Sequence, residues 1–233
     1  MGHAAMAETA IRYLRSAASQ AAATGAGGDA AAGDGEAAVP GPRARLRAVG
    51  VDERAPGAAG QPPADIDAGE FRRVLGGFPS GVTVITAHTP DDPAGPAGFA
   101  CQSFSALSLD PPLVVFMVGR TSSTWPRIAR AGGFCVNVLN EDQGALCRGF
   151  AVSGADGRDK FAGVAHRPAP VTGSPLLTGA QAWLDCRVHA VHPGGDHLIV
   201  VGRVLGLGAA DDGAGEPLVF HRGAFRRLAR PQP

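Results

Sequence analysis

The chain has 233 residues, enough for one domain with a sizeable core or for two small ones. Its 21 Lys and Arg balance 21 Asp and Glu, so there is no basic excess for a nucleic-acid backbone, and no such partner is expected. No apolar run approaches the ~20 residues that span a membrane, and the N-terminus lacks the charged start and apolar core of a secretory signal. The expectation is a cytoplasmic protein without a membrane partner.

Residues 1–64 are dominated by Ala and Gly, with prolines toward the end. Large apolar residues are sparse, so little burial is available to offset ordering entropy, and a mostly disordered extension is expected. The Arg- and Ala-rich "IRYLRSAASQAAA" has a faint transit-peptide character and reads better as a short helix in this tail. "GAGGDA" (residues 25–30) fits the dinucleotide pattern G-x-G-x-x-A, but no strand precedes it, so the glycines have nothing to bridge. The folded domain is expected over residues 65–233.

The character changes at "DIDAGEFRRVLGGF". Asp67 with Glu70 three residues later predicts a helix start, and Phe71, Val74, Leu75 and Phe78 fall on one helical face until Pro79 stops it. "GVTVITA" (residues 81–87) predicts a strand and "TPDDPAGPAG" a loop. "LVVFMV" (113–118) is a continuous apolar run, expected as a strand buried on both faces, and "FCVNVL" (134–139) is another strand. Between them a short helix is predicted over residues 124–131, with Ser123 as its cap, Pro126 in its first turn and Gly132 at its end. A further helix is expected after Asn140, running toward Phe150. "AWLDCRVHAV" and "HLIVVGRVLGL" predict two long strands around "PGGD", and "PLVFHRGAFRRL" closes the chain with one strand or two. Many closely spaced strands with few helices and no βαβ alternation predict a mainly β, closed barrel and argue against a Rossmann domain.

Two segments carry candidate chemistry. In "GFACQSFSALSLDPPLVV" the small and hydroxyl residues Ala100, Ser103, Ser105 and Ser108 would let a flat ligand approach the backbone. The same pattern also describes a Ser-rich edge strand with a turn. In "GRTSSTWPRI", Ser122, Ser123 and Thr124 stand where a helix begins, which suits either a phosphate or an ordinary N-cap. The four cysteines Cys101, Cys135, Cys147 and Cys186 form no C-x-x-C pair and read as reduced, mostly buried thiols.

"FRRVLGGFPSGVTVIT", "FACQSFSALSLDPPLVVFMV", "SSTW", "FCVNVLNEDQ", "GDH" and "PLVFHRGAFRRL" occur in one order over about residues 66–228. Together they resemble the flavin reductase family, the small partners of two-component flavin-dependent monooxygenases. The resemblance implies a six-stranded antiparallel split β-barrel with a few short helices, usually a homodimer. It implies NADH or NADPH as hydride donor, FAD or FMN as acceptor, and release of reduced flavin to a monooxygenase partner. Carried over by position, Ser80, Gly81, Val82 and Thr83 would lie beside the flavin ring. Ala100, Cys101, Gln102, Ser103 and Phe104 would run along it, closed by Ser108. Ser122 and Ser123 would meet the ribityl phosphate, with Phe150, Lys160 and Phe161 near the flavin tail and Arg222 near the pocket mouth. His197, the histidine of "GDH", would approach the nicotinamide as the catalytic histidine. Cys101-Gln102 departs from the Thr, Ala or Ser and Asn that family members often carry there. Hydride transfer between stacked rings needs orientation more than acid–base groups, which fits the lack of paired carboxylates or a Ser-His-Asp order. Two other readings of the barrel are a flavin- or haem-binding electron carrier or sensor, and a pyridoxamine-phosphate-oxidase-like enzyme. The latter needs a phosphate-binding basic cluster that this sequence lacks.

Three histidines, His189, His192 and His197, crowd one stretch. At a side-chain period of two, His189 and His192 point to opposite faces, so no metal site is expected and only His197 remains a candidate.

Overall fold

The computed structural model describes residues 66–152, 159–210 and 215–228. The expected tail over residues 1–64, with its "GAGGDA" and "IRYLRSAASQAAA" segments, lies outside the described residues.

Helix α1 (Ala68–Leu75) begins as the sequence suggests: the Asp67 carboxylate accepts the Gly69 and Glu70 N–H groups at 2.9 and 3.0 Å. Glu70 pairs with Arg73 at 2.6 Å. Its apolar face, however, is not buried. Phe71, Val74 and Leu75 are 54–55% exposed and Phe78 is 79% exposed, because no other described residue covers them.

The predicted strand over residues 81–87 divides into β1 (Ser80–Gly81) and β2 (Thr83–Ala87). β3 (Ala97–Cys101), β4 (Ser105–Leu109), β5 (Pro112–Gly119), β6 (Gly133–Val138), β9 (Ala182–Gly194) and β10 (His197–Ala209) join β2 in one antiparallel seven-stranded sheet, in the order β3-β2-β6-β9-β10-β5-β4. Six of these strands curl into a barrel and β4 hangs from β5 as an outer hairpin, so the sheet has one strand more than the expected six. The barrel closes where β3 approaches β5. There the Ser103 hydroxyl accepts the Met117 N–H and donates to the Met117 carbonyl, each at 3.0 Å. One side chain thus stands in for a missing ladder rung, which leaves the seam open beyond it.

The interior is one apolar cluster from Ile85, Val114, Phe116, Val118, Phe134, Val136, Val188, Leu198 and Val200. Phe116 is its centre, edge-on to Phe134 at 5.3 Å and to Trp125 at 6.3 Å. β5 contributes alternately rather than from both faces: Val114, Phe116 and Val118 are buried, while Met117 is 40% exposed. An unbroken apolar run here reflects an apolar outer face and not two-sided burial.

Helix α2 (Trp125–Ala131) plugs one end of the barrel with Trp125, Ile128 and Ala129. Ser122, not Ser123, supplies the capping oxygen, accepting the Trp125 N–H at 3.2 Å, and Gly132 ends the helix at a left-handed φ of 67°. Arg127 ties the preceding loop to this helix through Asp92 at 2.9 Å and the Gly95 carbonyl at 2.6 Å.

A second core lies outside the barrel wall. Val82, Val84, Leu139, Leu177 and Leu218 pack there with Cys147 and Phe150 of helix α3 (Gly144–Ala151) and with Phe161. The Gln143 side chain accepts the Asn140 N–H at 3.0 Å and so defines where α3 begins. The hairpin of β11 (Val219–His221) and β12 (Ala224–Arg226) pairs with β1 and covers this layer. A two-stranded ribbon, β7 (His166–Pro168) with β8 (Pro175–Leu177), straps the outer face of β2 and β6 beside this core.

β9 and β10 turn through Gly195 at φ 69°, and two bulges leave His189 and Leu205 unpaired. His189 and His192 are both exposed, and no group of three or more candidate ligands for a metal ion occurs among the described residues.

Candidate functional site

The seam between β3 and β5 widens into a groove of about 1050 Å³. Its floor is the end of β3, from Phe99 through Ser103, with Met117, Val118 and Gly119 of β5. His197 and residues 121–124 stand on the β5 side. α3, Lys160 and the C-terminal hairpin stand on the β3 side. The volume is at the upper end of the ~300–1,000 Å³ of small-molecule sites, and the walls are mainly apolar with a few convergent polar groups.

The polar groups divide by whether the protein already uses them. The Ser103 hydroxyl is engaged twice by Met117, and the Ser122 hydroxyl caps α2. The Thr83 hydroxyl, buried behind the floor, is donated to the Cys101 carbonyl at 2.9 Å. The hydroxyls of Thr121, Ser123 and Thr124 meet no protein partner among the described residues, which leaves them available to a ligand. Burial raises the Cys101 thiol above the usual range despite a 3.3 Å contact with Ser103 Oγ, so it stays neutral and acts as a small wall group.

The cations are the clearest electrostatic feature. Lys160, the only lysine in the chain, holds its ammonium against the Phe150 and Gly98 carbonyls at 3.1 and 3.3 Å. It is half-buried, and that desolvation lowers its pKa from the ordinary value of 10.5. Arg148 stands nearby on the α3 wall. Among the described residues, the groove is lined by two cations and no carboxylate. In a chain of zero net charge, this local excess favours an anionic ligand.

The His197 ring is set by its neighbour. Its Nδ1 lies 2.7 Å from the Asp196 carboxylate, whose pKa is held below the usual range chiefly by this hydrogen bond. An ionised carboxylate only accepts, so Nδ1 donates and Nε2 is left toward the groove, beside Gly119.

Of the residues singled out from sequence, Val82, Ala100, Cys101, Gln102, Ser103, Ser122, Ser123, Phe150, Lys160 and His197 line this one groove. The others lie around it. Ser80 and Gly81 pair with Phe220 and Val219, and Phe104 packs against the barrel core. Ser108 faces Leu113 in the outer hairpin. Phe161 supports Phe150 from behind, edge-on at 5.1 Å. Arg222 forms the turn of the C-terminal hairpin at φ 51°, its N–H bonded to the Gly76 carbonyl at 2.9 Å. The Ser-rich stretch therefore answers both of its readings: the half before Phe104 floors the groove, and the half after it is an edge strand.

Sequence reasoning missed Phe99, Met117, Gly119 and Thr121, together with the wall formed by Cys147, Arg148, Phe220 and Phe225. One usable signal was the i, i+4 spacing of Cys147 and Ala151, which aims one face of α3 into the groove. The contribution of β11–β12 depends on tertiary packing and has no local signature.

The sequence profile described as "Flavin reductase like domain" matches residues 75–229. The reductase subunit HsaB of a flavin-dependent monooxygenase from Rhodococcus jostii (strain RHA1) is 50% identical over 160 residues, which are 69% of this chain and 77% of that protein. An FMN reductase (NADH), SmoA, of Agrobacterium fabrum (strain C58 / ATCC 33970) is 40% identical over 160 residues, 69% of this chain and 86% of its own length. Among solved structures, the Streptomyces globisporus NADH:FAD oxidoreductase SgcE6, in complex with NAD and FAD fragments, superposes with a TM-score of 0.64 at 36% identity, over 70% of this chain and 93% of that one.

Proposed function

The chain belongs to the flavin reductase family, and from that premise we propose that it is an NADH-dependent flavin reductase that hands reduced FAD or FMN to a separate flavin-dependent monooxygenase. The observation that carries the reading is the groove: apolar walls, the Lys160 ammonium without an acidic partner among the described residues, and an oriented histidine at its β5 side. A flavin supplies the ring that accepts the hydride. The chain's own residues supply position and charge.

Ala100 and Gly119 keep the floor low, so a flat ring can lie against backbone. Lys160 and the free hydroxyls of Ser123 and Thr124 are the groups to hold a phosphate. His197 orients the nicotinamide through Nε2, held by Asp196. Neutral Cys101 offers no competing nucleophile. Apolar surfaces from Phe99 and Val82 would exclude water from the hydride transfer. No general acid is required, since two rings held face to face supply most of the rate.

The protein acts as a homodimer in this reading, because the exposed apolar face of α1 and the outward Leu107, Leu109 and Met117 need covering. It acts in the cytoplasm, where its four free, buried cysteines stay reduced. The test is NADH oxidation with and without added FAD or FMN. Flavin-dependent oxidation with free reduced flavin as product is expected. An absence of flavin-dependent oxidation, or reduction of a tightly retained flavin alone, would refute the reading. Sedimentation of Val74→Glu should show the dimer weakened relative to wild type.

A further inference from the structure

The α3 wall carries a cation for which the reading above has no use. Arg148 holds its guanidinium 5.6 Å from the centroid of Phe225. Phe225 is fixed from two other directions. Phe220 meets it edge-on at 5.7 Å, and Gly144 lies so close that an added Cβ would sit 3.3 Å from the ring. Arg148, Phe220 and Phe225 all line the groove. Among the described residues, none of the ion pairs involves Arg148. A stacked guanidinium has already given up much of its rotamer freedom, and its planar fork matches phosphate oxygens. Lys160 is a separate cation on the same side, fixed by carbonyls and compact enough for a single phosphate. A ligand with one phosphate leaves one of these cations without an anion, whereas a ligand with a diphosphate offers a phosphate group to each.

We propose that Arg148, stacked on Phe225, is a specificity-determining residue that receives the second phosphate of an adenine dinucleotide, with the Phe220–Phe225 pair as the apolar bed for its adenosine. The proposal rests on the flavin reductase reading. The adenosine diphosphate group is common to FAD and NADH and is absent from FMN, so the two sources separate experimentally.

The experiment uses the full chain, wild type against Arg148→Gln and Arg148→Lys. Dissociation constants for FAD and FMN are read from flavin fluorescence, and KM for NADH is measured with FMN as acceptor. A charge-assisted bond of ~1.5–3 kcal/mol corresponds to roughly 10- to 100-fold in affinity. Arg148→Gln should lower the FAD-to-FMN affinity ratio about tenfold, and Arg148→Lys, which keeps the charge but loses the planar stack, should fall between. Free ADP should compete with FAD on wild type and lose that competition in Arg148→Gln. If KM for NADH rises instead while the flavin ratio holds, the subsite serves the nucleotide's adenosine diphosphate. Equal losses for FAD and FMN, or no change in any of the three, would overturn the proposal. Wild-type protein without flavin-dependent NADH oxidation would instead overturn the underlying reading.

Discussion

Two regions of the molecule are rich in polar side chains and treat them in opposite ways. Behind the strap β7–β8, the fully buried Asn137 amide donates to the Val84 carbonyl, Thr86 Oγ1 and the Pro175 carbonyl, while its oxygen accepts the Leu177 N–H at 2.8 Å. The buried Asp185 carboxylate accepts the Val171 and Thr172 N–H groups at 2.7 and 3.1 Å and the Thr172 hydroxyl at 2.6 Å. These polar groups are answered from within the fold. In the groove, Lys160 and Arg148 meet no carboxylate, and the Ser123 and Thr124 hydroxyls no protein group, among the described residues. The difference teaches that polarity alone does not mark a site here. What marks the groove is several unpartnered polar side chains together, where His88 Nδ1 beside the strap and Trp125 Nε1 are single buried exceptions among the described residues.

The largest expected effect tests the satisfied side. Asn137→Leu leaves the Leu177 N–H without its partner and strips donors from two buried carbonyls. At ~1–3 kcal/mol per unsatisfied buried group, the loss of stability should be about 3 kcal/mol or more. Chemical denaturation measures it, and flavin affinity of the folded fraction should hold. Weakened flavin binding at unchanged stability would break the comparison.

The unsatisfied side should respond in reverse. Lys160→Met removes a half-buried charge that has no counter-ion among the described residues, so the melting temperature should hold or rise. Affinity for FMN should fall by roughly tenfold, the lower end of a charge-assisted bond at ~1.5 kcal/mol, while riboflavin, which lacks the phosphate, should be little affected. pH gives a second measure. Burial lowers the Lys160 pKa below 10.5 in the free protein, and a bound phosphate raises it. Between those two values, binding takes up a proton, so FMN affinity should fall as pH rises through the lowered pKa. The decline should be absent in Lys160→Met. A pH-independent wild-type affinity from neutrality to the ordinary lysine range would remove Lys160 from the site.

His197→Ala should have a smaller effect and a different one. It should raise KM for NADH about fivefold, ~1 kcal/mol of lost orientation, and change the flavin dissociation constant less. An unchanged KM for NADH would mean that the ring only braces the β9–β10 turn with Asp196.

The sequence announced the elements better than their surroundings. The caps at Asp67 and Gly132 and the paired runs of β9 and β10 are local signals, and they appear where the pattern puts them. The apolar outer face of β5 and the uncovered face of α1 misled for one shared reason. Periodicity reports which residues avoid water, not whether the same chain provides the cover. Resemblance brought residues from six separate stretches of the chain to one groove, which no spacing argument could do. It did not reveal which hydroxyls the fold had already claimed. Ser103 and Ser122 look like ligand donors in sequence, yet Met117 and Trp125 occupy them. Arg148 and Phe225 escaped because their contact joins α3 to a hairpin more than seventy residues later, through packing alone.

The smallest effect is expected from the largest change in length. Both regions compared above, the strap and the groove, are built entirely from residues 82–225, and α1 begins at Ala68. The family profile likewise starts at residue 75. Deleting residues 1–64 should therefore leave flavin reduction within about twofold of the full chain and stability within ~0.5 kcal/mol, the range of substitutions that touch no core or polar network. Thermal melts and NADH turnover on the shortened chain measure both. A large drop in melting temperature would mean that the segment packs on the exposed apolar face of α1, in competition with the dimer. Unchanged stability with a raised flavin KM would mean that it reaches the groove, and some of the polar groups counted here as free would then have a partner within the chain.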